Sequence, residues 1–105
     1  MAKQLLIYES AVPVSAGRHG DASFEPGDFA FSAGINAVRL MAVEFIRAAT
    51  EYAIVFCAAG DDVIPTAVLG VKSDQNLYLD ADAQWQAQYV PAFIRRYPFV
   101  FSASA

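Results

Sequence analysis

The chain has 105 residues, of which 56% are hydrophobic and 17% are charged, and its formal net charge is −4. This length favours one domain with a modest core, so we expect part of the apolar excess to remain as an exposed patch of the kind that marks an interface. The acidic balance argues against a nucleic-acid partner, and the single cysteine excludes an internal disulfide or a cysteine-rich metal site.

The N-terminal third contains one predicted strand and one long connection. Residues 4–9 are rich in Leu, Ile and Tyr, which is typical of a strand. Residues 17–34 are punctuated by Gly and Pro. This segment is either a long loop packed down by its phenylalanines or a loop with one short strand at 21–24. The phenylalanines in question are Phe24, Phe29 and Phe31.

Residues 37–51 have helical spacing of apolar side chains, and Asn36 is a plausible N-cap. The next apolar run, at 53–58, is continuous and β-prone, which predicts a buried strand. Turn-forming residues at 60–62 separate it from a second predicted strand at 66–72. A third, short strand is predicted at 77–79, and an antiparallel meander is the favoured pairing.

The C-terminal quarter predicts helix and then strand. Trp85 and Tyr89 lie four apart, which would place them on one face of a helix capped by an aspartate. Pro91 fits the first turn of a separate short helix, and Pro98 ends it. Residues 99–103 then read as a last strand. The sequence therefore predicts an α+β fold, in which a small, mainly antiparallel sheet has two or three helices, at about 37–51 and 81–97, packed on one face.

Adjacent arginines, Arg95 and Arg96, interrupt the apolar run of 89–101. One reading is structural, with an arginine stacked on Trp85 or Tyr89 or paired with a carboxylate. The other is an anion site that uses the arginine fork for a carboxylate or phosphate. Glu44, a carboxylate flanked by apolar residues, would need a partner if half-buried, so we predict a contact with Arg95 or Arg96.

Other reactive side chains form no convincing constellation. Cys57 lies in the strand that looks most buried and reads as a small core residue rather than a nucleophile paired with His19. The histidine reads as a solvated loop residue, because a metal site needs several ligands. Asp61 and Asp62 read as turn residues, since the spacing of a calcium loop is missing. We therefore expect no cofactor and no metal, and the balance favours a non-enzyme.

Several segments resemble the bacterial SapC-like family, named after an S-layer-associated protein. They are the strings KQLLIYE, AVEF, EYAIVF, VLGVKSDQNLYLD and, most specifically, W…YVPAFIRRYPFVF. The resemblance covers nearly the whole chain in the right order, and it implies a single SapC-like domain, 1–105, that corresponds to the N-terminal half of a longer family architecture. The residues that match the family pattern are Glu44, Asn76, Trp85, Arg95, Arg96, Tyr97 and Pro98. The resemblance assigns them no catalytic role.

The resemblance implies a surface-layer component or an accessory to one. The expected function is a non-enzymatic binding or assembly module associated with a bacterial surface layer or transport system. Two alternatives stay open: part of an enzyme site, or an accessory domain that binds an aromatic acid or other anion. The candidate ligand-binding residues are Arg95, Arg96, Trp85, Tyr89 and Glu44.

The expected partners follow from the apolar excess. We predict a homodimer paired through the edge near 99–103, with a further protein partner possible, and neither nucleic-acid binding nor membrane insertion. The apolar run at Leu5–Tyr8 is too short for a signal peptide, and no uncharged stretch approaches the roughly 20 residues of a membrane helix. The expected location is the cytoplasm, with the cell surface, reached without a cleaved signal, as the alternative.

Overall fold

A three-stranded antiparallel sheet in the order β1–β3–β2 forms the centre of the fold. The computed structural model describes residues 8, 10–25 and 27–101. The strands are β1 (Ala37–Arg39), β2 (Ala53–Ala59) and β3 (Asp62–Val68). The helical segments are short: α1 (Ala16–His19), a 3₁₀ turn (Ala30–Ser32), a 3₁₀ turn (Ala42–Glu44) that leads into α2 (Phe45–Ala48), and α3 (Ala92–Arg95). The predicted α+β class with a small antiparallel sheet is confirmed.

The helix predicted over 37–51 is wrong in its first half. Residues 37–39 pair with β3 instead, with Val38 opposite Ala67. Asn36 is not an N-cap, because its carbonyl accepts hydrogen bonds from the N–H groups of Leu69 (2.8 Å) and Gly70 (3.1 Å). Long-range pairing has therefore overridden the helical spacing of this segment.

Helical structure begins only after the sheet is left. The Glu44 carboxylate reaches back to accept the Met41 N–H at 2.7 Å, as the third residue of a helix often does. The helix ends at Ala48, and the Tyr52 N–H donates to the Ala48 carbonyl at 2.8 Å as the chain turns into β2.

The β2–β3 hairpin confirms the strand predicted at 53–58 and a turn at 60–61, while Asp62, predicted as a turn residue, is the first residue of β3. Gly60, at its tip, has φ +62°, which glycine adopts without strain. The second strand occupies 62–68 rather than 66–72, because the turn is tight and pairing starts at once, with Ala59 opposite Asp62. The predicted burial of β2 is wrong: every residue of the strand except the half-buried Ile54 is exposed.

Residues 69–91 connect β3 to α3 without a regular helix or strand. The strand predicted at 77–79 is reduced to one bridge between Leu79 and Trp85. The helix predicted from residue 81 is wrong up to Pro91. Asp80 caps a tight loop instead, since its Oδ1 accepts the N–H groups of Asp82 and Gln84, both at 2.9 Å. The short helix predicted after Pro91 is confirmed as α3.

The chain ends differ from the predicted strands. Residues 99–101 are not a strand, and 102–103 lie outside the described residues, as does the strand predicted at 4–9 apart from Tyr8. Residues 17–34 hold the end of α1 and a 3₁₀ turn, with no strand at 21–24. Phe29 and Phe31 pack against the core as expected, whereas Phe24 is exposed and lies against Phe99, with ring centroids 5.6 Å apart.

The core lies between the sheet, α2 and α3. Its buried hydrophobic members are Val38, Leu40, Ala48, Tyr52, Ala67, Leu69 and Ile94. Since β2 contributes no buried residue, the core is displaced toward β1 and β3, and the hairpin projects beyond it.

Candidate functional site

Glu44 is the buried carboxylate at the centre of the predicted site, with 4% of its surface exposed. Its Oε1 accepts the Tyr89 hydroxyl at 2.5 Å and the Ala92 N–H at 2.9 Å. Its Oε2 accepts the Met41 N–H. One side chain therefore joins the start of the α2 segment, the connection before Pro91 and the first residue of α3.

Arg95 lies beside Tyr89 and does not pair directly with the carboxylate. Its Nη2 donates to the Tyr89 hydroxyl at 3.2 Å, and its Nε donates to the Val90 carbonyl at 2.8 Å. Its guanidinium carbon is 5.4 Å from the centroid of the Tyr89 ring, as is that of Arg47. The predicted Glu44–Arg contact is thus replaced by one routed through tyrosine, while the predicted stacking of an arginine on Tyr89 is found.

The environment of Tyr89 favours its protonated hydroxyl. Burial, followed by the hydrogen bond to Glu44, raises the pKa of Tyr89, while Arg95 opposes the shift. A protonated hydroxyl can donate to Glu44 and still accept from Arg95, which is the arrangement observed.

A second group of contacts, centred on Tyr52, fixes the same connection. The Tyr52 hydroxyl accepts the Trp85 Nε1–H at 2.7 Å and donates to the Tyr89 carbonyl. The Tyr78 hydroxyl donates to the Glu51 carbonyl at 2.7 Å. Burial raises the pKa of Tyr52 to about 12. The Tyr78 ring contacts both neighbouring rings: it is tilted by 39° to Tyr52 and stacked on Trp85.

Glu51 binds the connection through its carboxylate. Its two oxygens accept the N–H groups of Gln88 (2.8 Å) and Tyr89 (2.9 Å). These two hydrogen bonds, with a smaller contribution from Arg47, lower the pKa of Glu51. By accepting two backbone N–H groups, this carboxylate fixes the backbone conformation of residues 88–89. No local sequence pattern predicts that conformation.

The predicted site residues are thus brought together only in part. Glu44, Tyr89 and Arg95 form one contact group, and Trp85 joins it through Tyr52. Arg96 turns elsewhere: its guanidinium lies 4.3 Å from the centroid of Phe93, and its buried Nε–H has no hydrogen-bond partner among the described residues. Sequence reasoning missed Glu51, Tyr52 and Tyr78, because their contacts join residues 27–38 positions apart that share no local pattern.

A cleft of about 380 Å³ opens next to Arg95. Four aromatic side chains line it, and two of them, Phe31 and Tyr97, stack with ring centroids 3.9 Å apart. Glu25, Asp28 and Arg95 also line it. The cleft can therefore take a ring-sized apolar group with polar or charged substituents.

The second surface feature is the projecting hairpin. Phe56 and Val63 are each 63% exposed, and Val55 is 41% exposed. On the adjacent helical segment Val43 and Ile46 are more than four-fifths exposed. Exposed apolar side chains, as predicted from composition, are therefore present on the hairpin, and we name residues 53–59 and 62–65 the apolar hairpin.

A SapC family model matches residues 14–105 of this chain. The chain belongs to the SapC family. Searches among curated proteins and among solved structures found no match. The family match includes β1, the apolar hairpin, the connection and α3.

The remaining candidate groups in this SapC chain have structural surroundings. Cys57 is exposed on β2 and is not the core thiol that was predicted. His19 ends α1, where its Nδ1 accepts the Ser15 N–H at 3.1 Å. Within the described residues no three His, Cys, Asp or Glu side chains could together hold a metal ion, and none of the helices there is long and apolar enough to span a membrane.

Proposed function

We propose that this SapC-family chain is a non-enzymatic binding or assembly module that serves a bacterial surface layer or transport system. Its partner-binding surface is the apolar hairpin. The observation that carries this proposal is β2, which has seven residues without a charge or a proline, six of them exposed, and which lies at the edge of the sheet formed by the described residues. Natural edge strands are usually short, charged, bulged or covered, because an open edge invites pairing with another strand.

The polar groups near the predicted site support a structural role for that site. Glu44, Glu51 and Arg95 are engaged with backbone groups and tyrosine hydroxyls of the same chain. These contacts fix the connection and α3 against the sheet, whereas the outer edge of β2 has no pairing strand in the part of the chain that the structure describes.

Sedimentation velocity over a wide concentration range tests the proposal. We expect concentration-dependent association of the wild type and its loss in Val55→Lys, which places a charge on the apolar hairpin. Val71→Lys is the matched control, since Val71 is 84% exposed and lies outside the hairpin. A monomer at every concentration, or equal effects of the two lysines, would contradict an assembly role for this surface.

The cleft beside Arg95 favours a second candidate, the binding of an aromatic acid. An apolar ring would enter between the aromatic walls while its carboxylate meets the guanidinium. A thermal-shift titration with benzoate and indole-3-acetate tests this. Stabilisation should disappear in Arg95→Gln and persist in Arg18→Gln, an exposed arginine on α1. Equal shifts in both variants would rule out the cleft arginine as the anion contact.

A further inference from the structure

We infer that the partner of the apolar hairpin is a second copy of this chain, and that β2 pairs antiparallel with β2 of that copy about a two-fold axis at Phe56. This inference rests on the proposed assembly function and adds the partner and the register. The sequence predicted self-association through an edge near 99–103, but the described residues of that range form no strand. The inference places the self-association at the edge formed by β2.

The direction of the free backbone groups on β2 follows from one hydrogen bond on the other side of the sheet. The Leu40 N–H donates to the Pro65 carbonyl at 2.9 Å, so the backbone polar groups of Pro65 face β1. Phe56 is opposite Pro65 in the hairpin. In an antiparallel ladder, opposed residues either exchange both hydrogen bonds or neither. The N–H and C=O of Phe56 therefore point away from β3.

The same alternation makes Ile54 and Ala58 point outward as well. Ile54, Phe56 and Ala58 are the three residues whose outward backbone groups can pair, because the flanking residues are used elsewhere or have left the strand. The Tyr52 N–H is used by Ala48, and Gly60 lies in the turn. Within residues 8, 10–25 and 27–101 no strand pairs with this edge of β2, which therefore offers the donors and acceptors of Ile54, Phe56 and Ala58.

Only one antiparallel register between two copies uses this whole set on both strands. Phe56 then faces Phe56 of the second copy, and Ile54 faces Ala58 of the second copy on each side. These are three pairs that each exchange two hydrogen bonds. A shift by two residues in either direction would place Tyr52 or Gly60 in a pairing position, where the first has no free N–H and the second has left the strand.

The side chains suit this register. The larger Ile54 meets the smaller Ala58 on both sides of the axis, and the two Phe56 rings form a cross-strand aromatic pair at the centre. No charged residue lies within 53–59, so no charge is buried. The opposite edge differs: β1 has three residues and carries Arg39, and so offers little to a second strand.

The surface area that this strand pairing buries limits the strength of the dimer. A stable complex typically buries about 800 Å² per partner. One strand of seven residues, in which Phe56 is the largest side chain, falls short of that area. We therefore expect a dimer that dissociates on dilution rather than a permanent one.

Disulfide trapping tests the register directly. Val55 would lie opposite Cys57 of the second copy in a pair without hydrogen bonds, where Cα atoms are about 4.5 Å apart and within reach of a disulfide. Val55→Cys with the native Cys57, oxidised with glutathione disulfide, should yield a covalent dimer on a non-reducing gel. We expect at least a tenfold larger dimer fraction than for the wild type.

Three controls separate this register from random collision. Ala53→Cys, which would face Ala59, should stay near the wild-type level. Val55→Cys combined with Cys57→Ala should also stay there, because each introduced thiol would then face an alanine rather than a second thiol. Circular dichroism confirms that each variant is folded, and Val55 is exposed enough for a folded product.

The outcomes distinguish the two proposals. Hairpin-dependent association without a disulfide between the introduced thiol of Val55→Cys and the native Cys57, or equal trapping in all variants, would overturn the register and leave the assembly function standing. Absence of association in the wild type would remove the assembly function itself. Selective trapping of Val55→Cys supports both.

Discussion

At the scale of single residues, Glu44 shows how one buried carboxylate organises distant parts of the chain. Its oxygens accept one hydroxyl and two backbone N–H groups that belong to segments almost fifty positions apart in sequence. Hydrogen bonds to a charged acceptor contribute about 1.5–3 kcal/mol, and unpaired buried donors are costly. The arginine of the motif then contacts the tyrosine that the carboxylate has already placed.

Glu44→Gln should destabilise the protein by about 2 kcal/mol, because the amide nitrogen would face a backbone N–H that needs an acceptor. Urea unfolding at neutral pH measures the change. The matched control is Glu25→Gln, an exposed residue, which should change the free energy of unfolding by less than about 0.5 kcal/mol. Equal losses in the two variants would show that the Glu44 contacts do not hold the fold.

Tyr52 predicts that the folded protein loses stability at alkaline pH. Its pKa is raised to about 12 by burial, whereas an unfolded chain releases the same proton near pH 10. Between these values the unfolded state binds fewer protons, so the stabilisation is fully present below pH 10 and is lost as the pH rises toward about 12. The pKa of Tyr78 and of Tyr89 is raised in the same direction.

Melting temperatures measured from pH 8 to pH 12 should therefore fall steeply above pH 10. Tyr52→Phe should be less stable at pH 8, by about 1–3 kcal/mol, because Trp85 Nε1 and the Tyr89 carbonyl lose their partner. Its alkaline slope should be shallower than that of the wild type. Parallel curves for the two proteins would mean that Tyr52 does not cause this loss of stability.

At the scale of elements, local signals predicted the structure where partners are close in sequence. The β2 run, the turn at 60–61 and the proline-started α3 were all predictable, because hairpin and helix pairing are local. The helix expected at 37–41 fails because the Asn36 and Leu40 backbone groups pair with β3 and the residues just after it, 25 to 34 positions later. The site was predictable as a set of residue types but not in its contacts, which depend on Glu51 and Tyr52 meeting residues 85–89.

Gly70, two residues after the end of β3, has the tightest backbone approach of any described glycine. A Cβ at Gly70 would lie 2.1 Å from the Gln75 carbonyl oxygen, a distance that forces the 70–77 loop to move. Gly70→Ala should cost about 1–3 kcal/mol, the usual range for overpacking. Gly17→Ala, where nothing lies within 4 Å, should be neutral or slightly stabilising. Thermal unfolding compares the two, and a tolerated alanine at position 70 would contradict this packing.

At the scale of the whole molecule, the position of the core away from β2 and the low fraction of charged residues together leave apolar side chains exposed on the hairpin. The buried core residues lie on or next to β1, β3 and the helical segments, and β2 adds to its backbone pairing with β3 the half-buried Ile54 and a ring contact between Phe56 and Phe45. Part of the apolar excess of the composition is therefore carried by the hairpin, through the exposed Val55, Phe56 and Val63. Exposed apolar surface is unfavourable in a monomer, and it stabilises an assembly that buries it.

The charge of the whole chain predicts how that assembly depends on salt. Each copy carries a net charge of −4, so two copies repel at low ionic strength, and in the inferred register Asp61 at the hairpin tip lies at the same end of the strand pair as Glu51 of the second copy. Screening shortens the Debye length to about 10 Å at 0.1 M salt. Raising sodium chloride from about 0.02 M to about 0.5 M should therefore tighten the dimer several-fold, as seen by sedimentation equilibrium.

Asp61→Asn should tighten the dimer at low salt and flatten its salt dependence, whereas Asp74→Asn, the same charge change outside the hairpin, should do so less. A dimer that weakens as salt is added would point to attractive charge pairing and contradict an uncharged seam between like-charged copies.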